Sequence, residues 1–325
     1  MLIIFVLIVF LASVCSPVQT AINNKMTQYV QSPLLAAFVS FFVSTVLIAG
    51  IIAFNGQSLS PFTEYIGRIP FWQWLGGVMG LVGVTLLVVI FPKLGGVQTV
   101  LIPMLGMLLT SFIIEMFGFF GYAHKIIEAD DFIGFVCIIA ALWLYATDTG
   151  KAVSHAWLYR FLGLVVGVAF ALQPVMNSQL AVWYQSSIFA SWLSFLISDI
   201  LFILLIVILP VCRHNFKYIL LSHSSNSEHR PWWVWTAGVC GAIYVISLTF
   251  FTARIGVQLV TIVGVIGQLA GGTVIDKYGL FHSSRKPIAA RQYLALVLAL
   301  AGTMIMNLFS VPVSGIVKFL SNINL

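Results

Sequence analysis

Apolar runs of span length alternate with short polar breaks along nearly the whole chain. Crossing the hydrocarbon core of a bilayer takes roughly 20 mostly apolar residues in a helix, and reading the runs by that length predicts ten helices. The first five lie near Leu2–Gln28, Leu34–Phe54, Phe71–Phe91, Val97–Gly121 and Phe132–Ala146. The second five lie near Trp157–Val182, Ile188–Pro210, Trp232–Thr252, Val257–Tyr278 and Ile288–Phe309, with a tail after Val311. Leu2–Val14 has the length of a signal-peptide core. However, no Lys or Arg precedes Lys25, and Ala12-Ser13-Val14 is a poor lipoprotein cleavage box before Cys15, so the segment is expected to stay as a helix.

The polar positions inside these runs repeat. Gln19, Asn23, Gln31, Ser32, Ala36, Ser40, Phe41 and Ser44 match Gln173, Asn177, Gln185, Ser186, Ala190, Ser194, Phe195 and Ser198 at a constant offset of 154. Trp74, Gly77, Gly80, Gly95, Gly106 and Gly118 match Trp235, Gly238, Gly241, Gly256, Gly267 and Gly279 at an offset of 161. The difference of seven is a longer polar loop around Arg213–Arg230. Shared hydrophobicity would not align glutamines and asparagines. The fold expected is therefore all-α and polytopic, with one five-helix unit in residues 1–150 and a second in 151–325. An odd number of spans per unit sends the second unit into the membrane from the opposite side. That is an inverted-topology repeat, the plan of many secondary transporters.

Composition agrees with the pattern. Of 325 residues, 61% are hydrophobic and 7% charged, against about 25% charged in soluble domains. Mean hydropathy is +1.07. The net charge of +6 is then a matter of membrane topology, and no nucleic-acid partner is implied. With both termini outside, the cytoplasmic loops hold Lys25, Lys93, Lys151, Arg213, Lys217, Arg230, Arg285, Lys286 and Arg291. The other face holds Arg68, Lys125, Arg254 and Lys318, so the positive-inside rule favours outside termini. Cys15, Cys137, Cys212 and Cys240 have no paired spacing and read as small packing residues.

Candidate chemistry is confined to a few side chains. Gln19 and Asn23 are four apart and share a helix face, as do Gln173 and Asn177. Buried amides are costly unless hydrogen-bonded, so these pairs are either interhelical glue or substrate contacts at the repeat interface. Pro17 and Pro174 beside them free backbone carbonyls. Ala36, Ser40 and Ser44, repeated as Ala190, Ser194 and Ser198, form the small-residue stripe of close helix packing, though Ser40 and Ser194 could also line a polar path. Asp199 falls in mid-span, where its repeat partner is Thr45. It reads either as a proton-coupling carboxyl or as a neutral acid bonded to neighbouring helices. Glu115 and Asp276 are repeat partners near helix ends, with proton coupling and interfacial pairing as their two readings. Lys93 and Arg254 suit headgroup contacts or an anion gate. His214, His223 and His229 match no metal spacing, and no Walker A, HExxH, GxSxG or EF-hand pattern occurs. No metal or cofactor is expected.

Gln19-x-x-x-Asn23 followed by Ser32-Pro33-Leu34-Leu35-Ala36-Ala37-Phe38-Val39-Ser40-Phe41 resembles the YdcZ-type family of the drug/metabolite transporter superfamily. So do its second copy, Gln173-Pro174-Val175-Met176-Asn177 with Ala190-Ser191-Trp192-Leu193-Ser194-Phe195, and the segments Arg254-Ile255-Gly256, Gly267-Gln268 and Ile275-Asp276-Lys277-Tyr278-Gly279. Gly106-Met107 departs from the pattern where the second half has Gly267-Gln268. The resemblance covers nearly the whole chain as two fused units and implies an exporter in the bacterial inner membrane. The function expected is a proton-coupled secondary exporter of small metabolites or drug-like compounds working by alternating access, with membrane lipids around it and a homo-oligomer left open. A channel, a lipid-headgroup flippase and an integral membrane enzyme are the rivals. The enzyme would need a catalytic cluster, and none is visible in the sequence.

Overall fold

The computed structural model describes residues 2–55, 65–122, 156–220 and 230–282, together with separate residues between 132 and 144 and between 293 and 305. Helices and turns make up all of this, and no strand occurs among the described residues. The long helices are α1 (Leu2–Val30), α2 (Pro33–Phe54), α3 (Gly76–Phe117), α4 (Ala156–Tyr184), α5 (Ser187–Ile208), α6 (Ala237–Ile255) and α7 (Val257–Tyr278). Seven helical stretches among the described residues are long and apolar enough to cross a membrane, and Leu101–Phe117 is a shorter apolar helix. The protein is an all-α, multi-pass membrane protein.

Local sequence sets the ends of these helices in matched pairs. Gln31 and Gln185 take the left-handed conformation, at φ 52° and 50°, and turn the chain sharply between α1 and α2 and between α4 and α5. The next residues, Ser32 and Ser186, cap α2 and α5 by accepting from the amides of Leu35 and Phe189. Pro33 opens α2 at a position that needs no amide donor. Gly118 and Gly279 end α3 and α7 in the left-handed conformation, both at φ 65°.

In one place the secondary structure differs from the reading of the apolar runs. The third and fourth predicted spans follow one another as two legs of one 42-residue helical segment, α3, with no loop between them. Fully straight, it would be about 63 Å long, about twice the hydrocarbon thickness. Its neighbours show that it folds back on itself. Gly76, Gly80 and Gly83 pack on Asn177, Gln173 and Phe170 in turn, so the first leg runs antiparallel to α4. Gly106 then packs on Leu164 and Gly167, and Ile114 on Val175, so the second leg runs parallel to it. Ile90 and Ile102 both reach Gly163, which places the reversal between them. In the second half the same reversal is an open break at Gly256, whose φ of 87° only glycine adopts freely.

The halves are related by an approximate two-fold axis that reproduces individual contacts. Ser44 Oγ donates to Gly238 O at 2.7 Å, and its equivalent Ser198 donates to Gly77 O at 2.7 Å. Gly241 sits against the Gln19 amide as Gly80 sits against that of Gln173. Gly267 packs on Phe10 and Ser13 as Gly106 packs on Leu164 and Gly167. The axis passes where α2 crosses α5. There the partners Phe41 and Phe195 meet with ring centroids 5.0 Å apart, and Phe38 and Phe41 both reach Phe202. Thr45 meets Asp199 while the earlier Phe38 meets the later Phe202, so α2 and α5 run antiparallel. This is the inversion expected from five spans per half. The described residues of the fifth and tenth predicted spans are helical and meet at Gly302, which packs on Gly134 and Cys137.

Candidate functional site

Three of the four repeated amides of α1 and α4, Gln19, Asn23 and Gln173, line one narrow cleft between the halves, whereas Asn177 packs against Gly76 and, like Ser40 and Ser194, is not among the lining residues. Ser16, Gln19, Thr20 and Asn23 of α1 line the cleft, with Phe41 of α2, Val84, Leu87 and Val88 of α3, Phe170 and Gln173 of α4, Phe195 of α5, and Gly241, Tyr244 and Val245 of α6. Its free space holds about one water molecule, so this state is nearly closed. The glycine of each α3/α6 pair lets the opposing amide approach. A Cβ on Gly241 would stand 2.7 Å from Gln19 Nε2, and one on Gly80 would stand 2.6 Å from Gln173 Nε2.

The amides differ in how they are satisfied. Gln19 Nε2 donates to Ser40 Oγ at 2.9 Å. The equivalent serine of the second half, Ser194, has a buried hydroxyl with no partner. Asn23 and Asn177 are buried to within 1% of complete, and neither the amide nitrogen nor the oxygen of either side chain is hydrogen-bonded. An unpaired buried polar group costs about 1–3 kcal/mol. Two matched asparagines therefore hold four such groups at the repeat interface.

Asp199 lies one helical turn beyond Phe195 on α5, near the approximate two-fold axis, and does not line the cleft. Its Oδ2 accepts from Thr45 Oγ1 at 2.5 Å, and its Oδ1 is buried without a partner. Thr45 is its own repeat partner, so the one acid at this crossing is held by the side chain that replaces it in the other half.

Glu115 stands away from the cleft. Its Oε1 accepts from the amide of Gln258 at 2.9 Å, which caps the first turn of α7 from the opposite half at the Gly256 break. The equivalent acid, Asp276, has its side chain outside the described residues. Lys93 is exposed. Arg254 folds back to donate to Phe250 O at 2.7 Å and lies 3.4 Å above the Phe250 ring, the posture of a snorkelling interfacial arginine. His214 is exposed, His223 and His229 lie outside the described residues, and no cluster of metal-ligating side chains occurs among the described residues.

Ser16, Thr20 and Tyr244 also line the cleft, though none stands out in the sequence. The signal for Ser16 and Thr20 is that they continue the Gln19/Asn23 face of α1 at helical spacing. Tyr244 carries no such signal, because its repeat position is Gly83 and no polar stripe accompanies it.

A solved structure described as "Crystal structure of protein" superposes on this chain with a TM-score of 0.53 at 14% identity, covering 94% of this chain and 97% of that chain, which shows a shared fold. No curated protein matches it. The family described as "Putative inner membrane exporter, YdcZ" matches residues 4–144 and again 158–305, so two family units span nearly all of the sequence, and the chain belongs to this family of inner-membrane exporters.

Proposed function

We propose that the protein exports a small molecule in exchange for protons, by alternating access of the two inverted halves about the cleft. The observation that carries this reading is the pair of buried, unpartnered asparagines, Asn23 and Asn177, at matched positions where the halves meet. Side chains with only a structural role would be expected to find partners. Groups that bind a transient ligand are left unpaired when it is absent. Gln19 and Gln173, with Ser40 and Ser194 behind them, extend the same polar surface. Substrate sites in inverted-repeat transporters form at this interface, and a nearly closed cleft suits an intermediate between two open states.

Asp199 is the proton-exchanging group in this reading. It is the one acid at the helix crossing about which the halves would rock, and its free Oδ1 can carry a proton while Oδ2 keeps the Thr45 bond. Orientation follows the basic end of the molecule. Lys25 and Arg230 both lie over the Tyr29 ring at the end of α1, and the positive-inside rule makes that end cytoplasmic.

Counterflow in proteoliposomes with an imposed pH gradient tests both parts. A saturable flux that responds to the gradient, and loses that response in Asp199→Asn, is expected. Gradient-driven flux unchanged in Asp199→Asn would remove Asp199 from the coupling mechanism. Non-saturable flux would replace the exporter with a channel.

A further inference from the structure

The cleft is symmetric in backbone but not in chemistry. Ser16 lines one wall, and its repeat position in the other half is Phe170; Thr20 is likewise replaced by Pro174. Tyr244 is replaced by Gly83, and the Phe170 ring fills the space over that glycine. The Tyr244 hydroxyl accepts from Gln268 Nε2 at 3.2 Å, whereas the position equivalent to Gln268 is Met107. One wall, built from α1 and α6 and backed by Gln268 of α7, is therefore polar. The facing wall, built from α3 and α4, is apolar and aromatic apart from Gln173. No Asp, Glu, Lys, Arg or His lines the cleft, and Asp199, the acid of the crossing helices, is not among its lining residues.

We propose that this site, taken as the substrate site of the exporter, selects uncharged compounds that carry a flat apolar body and a carboxamide-like edge. A ligand charge would enter a low-dielectric cleft with no opposite charge to meet it, which is costly. An apolar ring can lie against Phe170, Val84 and Leu87 once the halves move apart from this nearly closed state. The Asn23 side chain, 1% exposed and lacking partners on both nitrogen and oxygen, offers one donor and one acceptor side by side. A carboxamide or a nucleobase edge presents the complementary pair, the geometry by which asparagine takes adenine bidentately. A carboxylate offers acceptors only and an ammonium donors only, so each leaves one Asn23 atom unpaired.

The test uses benzamide, benzoate and benzylamine with the full-length purified protein, read by thermal stabilisation and by counterflow in liposomes. Benzamide is expected to stabilise the protein while the other two do not. Asn23→Leu should weaken benzamide binding by tenfold or more, and Asn23→Asp should move the response to benzylamine. That gain in a second variant guards against a simple folding defect. The proposal is overturned if benzoate or benzylamine stabilises the native protein as well as benzamide does. It is also overturned if benzamide gives no response, or a response unchanged in Asn23→Leu. Asn23-dependent binding of benzamide without exchange in liposomes would keep the ligand class and remove the exporter reading. Gradient-driven exchange of benzoate or benzylamine alone would do the reverse.

Discussion

Replacing Gly238 with alanine tests whether the repeat interface is held by close backbone approach. A Cβ at Gly238 would stand 2.5 Å from Ser40 O and 2.6 Å from Val43 Cβ, against an ordinary contact of 3.4 Å or more. The obstructing carbonyl belongs to the α2 backbone and cannot swing aside, so α2 and α6 must separate by about 0.9 Å, the shortfall from that contact distance. The same movement stretches the 2.7 Å bond from Ser44 to Gly238 O. Overpacking costs about 1–3 kcal/mol and an interhelical bond in a membrane about 0.6 kcal/mol, giving roughly 2–4 kcal/mol together. Gly77→Ala meets Ser194 O in the same way at the symmetry-related contact and should lose a similar amount. Gly50→Ala is the control, since a Cβ there has nothing within 4 Å; the exchange should be neutral or gain a few tenths from helix propensity. Unfolding of the three purified variants in mild detergent reads these differences. If Gly238→Ala unfolds together with Gly50→Ala, close packing at this contact does not hold the halves together.

Three further outcomes are expected. Glu115→Ala removes the cap on α7 and should cost about 1 kcal/mol, with faster hydrogen exchange at Gln258 confined to the first turn; unchanged exchange there would deny Glu115 the role of cap. Asn177→Leu replaces two unpaired polar groups with an apolar side chain and should raise stability by about 1–3 kcal/mol while abolishing counterflow. A destabilised variant with full transport would contradict the assignment of Asn177. Ser186→Ala removes the side chain that accepts from Phe189 N and should cost about 1 kcal/mol in detergent unfolding, a loss absent from a control Ser187→Ala.

Much of this architecture is legible in the residues themselves. Matched glutamines, asparagines, serines and glycines at offsets of 154 and 161 identify equivalent positions, and span counting supplies the inversion. Equivalence says nothing, however, about which equivalents touch. That Thr45 and Asp199 bond to each other depends on where the two-fold axis passes, a property of the packed pair of helices and of neither strand of sequence alone. The cap provided by Glu115 is hidden for a similar reason, because its partner lies 143 residues away in the other half. The run from Phe71 to Gly121 reads as two spans, and its two legs do run in opposite directions along α4. The polar break marks that reversal but is too short to show that the legs follow one another without a loop. The Gln19/Asn23 and Gln173/Asn177 pairs stand out because amides are rare in apolar helices. The aromatic wall opposite them does not, since Phe170 is one of 26 phenylalanines in the chain.

Alternating access of inverted halves is the central claim, and distances between spin labels at the two ends of α1 and α4 test it most directly. Gln28 and Trp157 lie at one end, and Ile3 and Val182 at the other; all four are exposed. The offset of 154 takes Gln28 to Val182 and Ile3 to Trp157, so the approximate two-fold exchanges the two label pairs. Labels at these four positions, in a background with the native cysteines replaced, would be measured by double electron–electron resonance in nanodiscs at acidic and alkaline pH. The account predicts opposite changes, with one pair widening as the other narrows, and loss of the response in Asp199→Asn. Two distances that stay fixed, or that widen together, would contradict it.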